Sequence, residues 1–143
     1  LDEKERAQVE KLEARDREVR AHEAAHVAAG GSLVRGGASS EYESGPDGKT
    51  YAVGGEVSID ISKGDTPEET IQKMQQVKAA AMAPGDPSPQ DYKVASSAAM
   101  MEARARAELA EQRSEELSKQ LLKNPYQDED STKEDKTAID SIA

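Results

Sequence analysis

The 143 residues include no cysteine, phenylalanine or tryptophan, and only four tyrosines and two histidines. Without cysteine no disulfide can form, and the redox compartment goes unmarked. Leu, Ile and Val together number 20, about 14% of the chain, which falls in the range associated with disorder. Any folded core must therefore be small, built from scattered aliphatics and 22 alanines. No apolar run approaches the roughly 20 residues that span a bilayer. Basic residues are also short: 19 Lys and Arg against 29 Asp and Glu leave a net charge of -10. That balance argues against nucleic acid, whose phosphates would be repelled. The chain opens Leu-Asp-Glu-Lys, with neither an initiator Met nor a signal-peptide pattern, and is expected to be cut from something longer.

What is present divides the chain cleanly. Residues 2–29 contain no Gly or Pro, are rich in Glu, Lys, Arg and Ala, and read as one long helix. Its apolar thread is sparse, with Val9, Leu12, Val19 and Val27, and Gly30-Gly31 supplies the C-terminal stop. Residues 39–44, 45–49 and 50–61 read as strand, turn and strand, with Pro46-Asp47-Gly48 as the turn. The second strand alternates: Tyr51, Val53, Val57, Ile59 and Ile61 share one face, and Ala52, Gly54, Glu56, Ser58 and Asp60 the other. Thr66-Pro67-Glu68-Glu69 is a capping box, followed by Ile71, Met74, Val77, Ala81 and Met82 at helical spacing. Ser88-Pro89-Gln90-Asp91 starts a last helix, with Ser88 as N-cap and Asp91 as its N3 acceptor. It runs to about Lys123, where Asn124-Pro125 stops it. Residues 124–143 are acidic and polar and are expected to be a disordered tail. The fold class is α+β, in a domain of residues 1–123.

The two histidines are four residues apart, in His22-Glu23-Ala24-Ala25-His26 near the end of the first helix. At 3.6 residues per turn, positions i and i+4 lie one above the other, so both imidazoles can reach one cation. Glu23, one step round, can act on a water without being a ligand. This is the H-E-x-x-H arrangement of zinc metalloproteases, which two randomly placed histidines would match about once in 550 chains of this composition. A catalytic zinc normally takes three protein ligands, and with no third His or Cys the remaining one must be a carboxylate. Glu56 is the first candidate, because Gly54-Gly55 before it permits close backbone approach and a strand supports it. Glu102 on the last helix is the main rival; Glu41, Glu43 and Asp60 are weaker ones. Asp16 and Glu18 are too far back along the helix to be assigned a part.

The run from Asp16 to Gly31, the segment from Gly45 to Val57 and the later Pro87-Ser88-Pro89-Gln90-Asp91 resemble the bacterial SprA-related family. The resemblance covers about residues 10–112. The family is described as metalloproteases largely on the H-E-x-x-H motif. The resemblance implies a gluzincin-like site, with zinc as cofactor and a Gly-Gly-Glu segment matched by Gly54-Gly55-Glu56. It leaves cytoplasm and cell envelope both open.

The function this points to is zinc-dependent peptide-bond hydrolysis. His22, His26 and Glu56 would hold the metal, and Glu23 would serve as general base on its water. Tyr51 or Tyr42 could donate to the oxyanion, and an edge strand of the hairpin could hold a peptide or protein substrate by strand addition. Two rival readings stand beside it. One is a catalytically inactive relative in which zinc staples a thin core. The other is a helical interaction module in which the His pair is incidental. Substrate preference and oligomeric state carry no sequence signal.

Overall fold

The computed structural model describes residues 1–123; the expected disordered tail, 124–143, lies outside the described residues. Five elements follow in order: α1 (Glu3–Gly30), β1 (Val34–Ser44), β2 (Thr50–Ile59), α2 (Pro67–Ala81) and α3 (Pro89–Lys123). A single 3-10 turn, Gly31–Leu33, links α1 to β1. This is the α+β arrangement of three helices and one antiparallel hairpin that the sequence predicts. Leu1–Arg106 forms one compact unit; a second begins at Ala107 and, over the described residues, is the remainder of α3.

Each start and stop has a local cause. Asp2 caps α1 by accepting from the Glu5 N–H at 2.8 Å, while the Glu5 side chain reaches back to the Asp2 N–H. Gly31, at a positive φ of 52°, ends α1 with its N–H on the Val27 carbonyl. Thr66 caps α2 through the Glu69 N–H, as its sequence predicts. The reciprocal half of that capping box differs, because Glu69 accepts from Asp65 N–H at 3.0 Å rather than from Thr66.

The hairpin is longer than expected at its start: β1 begins at Val34, pairing with Ile59. The register shifts twice. One shift places Gly36 and Gly37, both at φ 71°, outside the ladder, and the other leaves Val53 unpaired between Ala52 and Gly54. The second bulge breaks the simple alternation read from the sequence. Tyr51 and Ala52 are consecutive, yet both are buried, Ala52 at 1% exposure. At this point α1 crosses the strand and takes its backbone: Asp16 accepts the Ala52 N–H at 2.8 Å, and Arg15 Nε donates to Val53 O at 2.7 Å.

The inward stripe of α1 explains why its apolar thread looks thin. Leu12, Asp16, Val19, Glu23, His26 and Gly30 recur every three or four residues, so they share one face. Leu12, Glu23, His26 and Gly30 are the buried residues of this helix. Half of that stripe is polar. Gly30 is needed where it stands, since a Cβ there would lie 2.7 Å from the Val34 side chain. Apolar burial is concentrated elsewhere, in Met74, Val77 and Ala98, with Leu33, Ile59, Val94 and Met101 packed around them. Met82, expected on the same helical face, is 40% exposed because α2 has ended one residue earlier.

Asp60 ties the base of the hairpin to α2. Its carboxylate takes Ser62 Oγ and N–H, Lys73 Nζ at 3.0 Å and Arg35 at 3.1 Å. Those bonds, Ser62 foremost, hold it well below the ordinary carboxylate range. Asp16 is lowered too, chiefly by the Ala52 N–H and then by Arg20. A depressed folded-state pKa stabilises the fold above the unfolded value of 3.8 and loses that contribution as pH falls through the folded one. Asp16→Asn and Asp60→Asn should therefore lower Tm at neutral pH and matter progressively less below about pH 4. A Tm loss of the same size at every pH would remove the linkage. Met74→Ala should cost about 2–5 kcal/mol in denaturant unfolding, because Met74 is fully buried at the centre of the apolar cluster.

Candidate metal centre

His22 and His26 face one another at the C-terminal end of α1, as the i,i+4 spacing predicts. Their Nε2 atoms are 3.2 Å apart. His26 is 3% exposed, and its Nδ1 lies 2.8 Å from the Ala80 carbonyl at the end of α2. A carbonyl only accepts, so Nδ1 carries the hydrogen and the neutral ring presents the Nε2 lone pair toward His22. The tautomer suited to metal binding is thus set by the helix packed behind it.

The third member of the group is Asp91, the N3 residue of α3. Its Oδ1 lies 3.0 Å from His26 Nε2, and its Oδ2 lies 3.1 Å from His22 Nε2. Ser88 fixes it from both sides: the Ser88 N–H donates to Asp91 Oδ2 at 2.8 Å, and the Asp91 N–H donates to Ser88 Oγ at 3.1 Å. Burial works to raise the Asp91 pKa, but the Ser88 N–H and the two imidazoles outweigh it and the carboxyl is lowered. A helix N-terminus also favours the anion. The sequence predicts Asp91 as an N-terminal capping acceptor, and it is one. Sequence reasoning missed that the same carboxylate faces the histidines. The signal was the resemblance at Pro87–Asp91, which singled out this stretch without a chemical reason.

These donors suit a cation. His22, His26 and Asp91 each offer a ligand atom, all within 4.8 Å of one another. Two atoms bound tetrahedrally to one zinc at about 2.0–2.1 Å stand roughly 3.4 Å apart, close to the 3.0–3.2 Å separations here. Glu23 lies beside them, 6% exposed, and its Oε2 is buried without a hydrogen-bond partner. Burial pushes its pKa up, opposed by His22 and His26 and assisted by Asp91 and Glu56. A buried carboxylate oxygen without a donor is costly unless something else occupies the space it faces.

The remaining sequence candidates fall in different places. Glu56 lines the smaller cavity, of about 370 Å³, together with His22, Glu23, His26 and Asp91, but stands outside the three-donor group. Glu102 is engaged elsewhere, with Oε1 3.0 Å from Lys78 Nζ and Oε2 3.2 Å from Arg106 Nε. Glu41 lies against Gly54 on the hairpin, Glu43 pairs across it with Tyr51, and Asp60 is held by Ser62, Lys73 and Arg35. Tyr51 is buried, with its hydroxyl bonded to Asp47 in the turn, which pushes its pKa up to about 12. Tyr42 is 58% exposed on β1. Neither tyrosine lines the cavities around His22 and Glu23. Asp16, unassigned from sequence, closes the edge of β2.

A model of the SprA-related family matches residues 1–140, beyond both ends of the stretch on which the resemblance rests. The chain belongs to the SprA-related family. No curated protein matches the chain, and no solved structure does. Within this SprA-related chain, a zinc titration is expected to saturate at one ion. His22→Ala, His26→Ala and Asp91→Ala should each weaken binding about tenfold or more. Glu102→Ala should leave zinc affinity unchanged and lower Tm instead; an equal loss of zinc at Glu102 would overturn the donor set. Glu56→Ala reports whether that carboxylate joins the other three.

Proposed function

We propose that this protein is a small zinc-dependent peptidase, with His22, His26 and Asp91 as the metal ligands and Glu23 as the general base. The observation that carries the reading is the Glu23 carboxylate, buried beside the three donors with Oε2 unpartnered. Zinc held by these residues would supply Lewis acidity to a scissile carbonyl and would lower the pKa of a water. Glu23 Oε2 accepts the proton of the attacking water and returns it to the leaving nitrogen. The Ala80 carbonyl holds the His26 ring, and Ser88 holds the Asp91 carboxylate, so neither ligand has to be organised when substrate arrives. The H-E-x-x-H spacing and the family membership agree with this reading, although neither carries it alone.

One observation favours a second role for the metal, as a staple. His22 and Asp91 are 69 positions apart in sequence and belong to α1 and α3, so one ion would join the first helix to the start of the last. Metal binding of this kind is folding free energy. The two readings part at Glu23→Gln. Under the peptidase reading, this variant keeps wild-type zinc stoichiometry and loses cleavage of a quenched, unstructured fluorescent peptide by about 10²–10⁴-fold. If wild-type protein gains Tm on adding zinc but cleaves none of a diverse set of such peptides, the staple reading stands and the hydrolase falls.

A further inference from the structure

Two cavities meet over the site. The larger, of about 730 Å³, runs from Arg15 along α1 to His22 and Glu23; the smaller continues past His26 toward Ile59. They share His22, Glu23, Gly55 and Ser88, so a single cleft crosses the three-donor group. One wall is β2, from Val53 to Val57. The other is the loop from Ala83 to Pro89. That loop carries Pro84, Pro87 and Pro89, which have no N–H to offer a ligand.

β2 belongs to a sheet of two strands, so its side away from β1 is an edge with no neighbouring strand among the described residues. Along that edge α1 takes the backbone at two positions, through Asp16 on the Ala52 N–H and Arg15 on Val53 O. Beyond Val53 no side-chain or loop hydrogen bond reaches β2 from outside the hairpin among the described residues. The next two residues are Gly54 and Gly55, and Gly55 and Glu56 are exposed. Gly55 has a second reason to lack a side chain: a Cβ there would sit 3.1 Å from Glu23 Cγ and 3.2 Å from Cδ. The open backbone therefore runs directly over the Glu23 side chain.

We infer that an extended peptide is held by strand addition on the edge of β2 at Gly54–Val57, lying through the cleft that crosses His22 and Glu23. An unpaired strand edge is a template for another chain, and the proline wall opposite directs main-chain pairing to β2. The length agrees: the floor of α1 from Arg15 to His26 is about 16 Å, room for roughly five extended residues. The class of ligand is then an unstructured polypeptide segment, recognised first through its backbone. β1, on the far side of the hairpin, takes no part. The inference rests on the peptidase reading for the identity of the ligand as peptide, and on the edge itself for where it binds.

The test is a titration of the 143-residue chain, zinc-loaded and carrying Glu23→Gln to prevent turnover, followed by amide chemical shifts. The probe is a blocked hexapeptide of alternating alanine and serine. Saturable shifts should centre on residues 54–57, and methylating the six residues' backbone nitrogens, which removes their main-chain donors and leaves the serine hydroxyls, should weaken binding about tenfold or more. Shifts centred on β1, equal affinity for the methylated peptide, or no saturation at millimolar peptide would each overturn the assignment. Binding with the expected pattern in a wild-type chain that cleaves nothing sinks the hydrolase and leaves the edge standing. Cleavage without that pattern does the reverse.

Discussion

Glu23 lies against a strand that has no side chain at Gly55, and that close approach fixes how α1 crosses the hairpin. Asp16 and Arg15, two turns earlier, bind the same strand at Ala52 and Val53. Leu12, a turn further back, stands beside Tyr51, both of them facing Gly45. The helix is thus laid along β2 by contacts that are largely polar, and the stripe that makes them ends at His26 and Gly30 against α2. Moving the helix to bury more apolar surface would lift Glu23 off the strand. Position of the carboxylate and position of the helix are one constraint.

Such an interface is expensive in free energy. A buried carboxylate and two imidazoles give little hydrophobic stabilisation, and each unpaired polar atom costs about 1–3 kcal/mol. The apolar cluster around Met74 and Val77 lies off this interface, where α2, α3 and the base of the hairpin converge. Two kinds of support therefore divide the first unit: an aliphatic cluster at one end, and hydrogen bonds with a set of convergent donors along α1. A cation on His22, His26 and Asp91 would convert the costly part into a favourable one, since the nitrogen and carboxylate oxygen atoms now within 3.2 Å of one another would share a positive charge. The small supply of large aliphatic residues and the presence of that donor group are then connected facts.

Much of this was legible in the sequence because it depends on local rules. Helix ends at Gly31, Thr66 and Ser88, the Pro46–Gly48 turn and the His22–His26 pairing follow from spacing and capping within a few residues. What was not legible depends on contacts far apart in the chain. The bulge at Val53 puts Tyr51 and Val57 out of phase, and nothing within the strand announces it; the backbone there is taken by Asp16, 36 positions away from Ala52. The same holds for the third donor. The glycines before Glu56 point to a close backbone approach, and at Gly55 the group that approaches is Glu23, while Gly54 faces Glu41.

Asp91 escaped because its local role was already sufficient to explain it. An Asp at N3 behind a Ser N-cap accounts for its own presence, and no further function is needed to make sense of the residue. Yet capping and ligation are compatible, and each helps the other. The Ser88 N–H takes one part of the carboxylate's capacity and stops its rotation; the helix N-terminus keeps it ionised; and its remaining lone pairs point at the imidazoles. A carboxylate held this way would cost little entropy to organise as a ligand, because the helix has ordered it already. It also makes the start of α3 answer to whatever occupies the site. The loop from Ala83 to Pro89, one wall of the cleft, ends on Ser88 and Asp91, so the ion that completes the donor set would steady that wall as well. Charge at the centre and shape of the groove are coupled through one short capping motif.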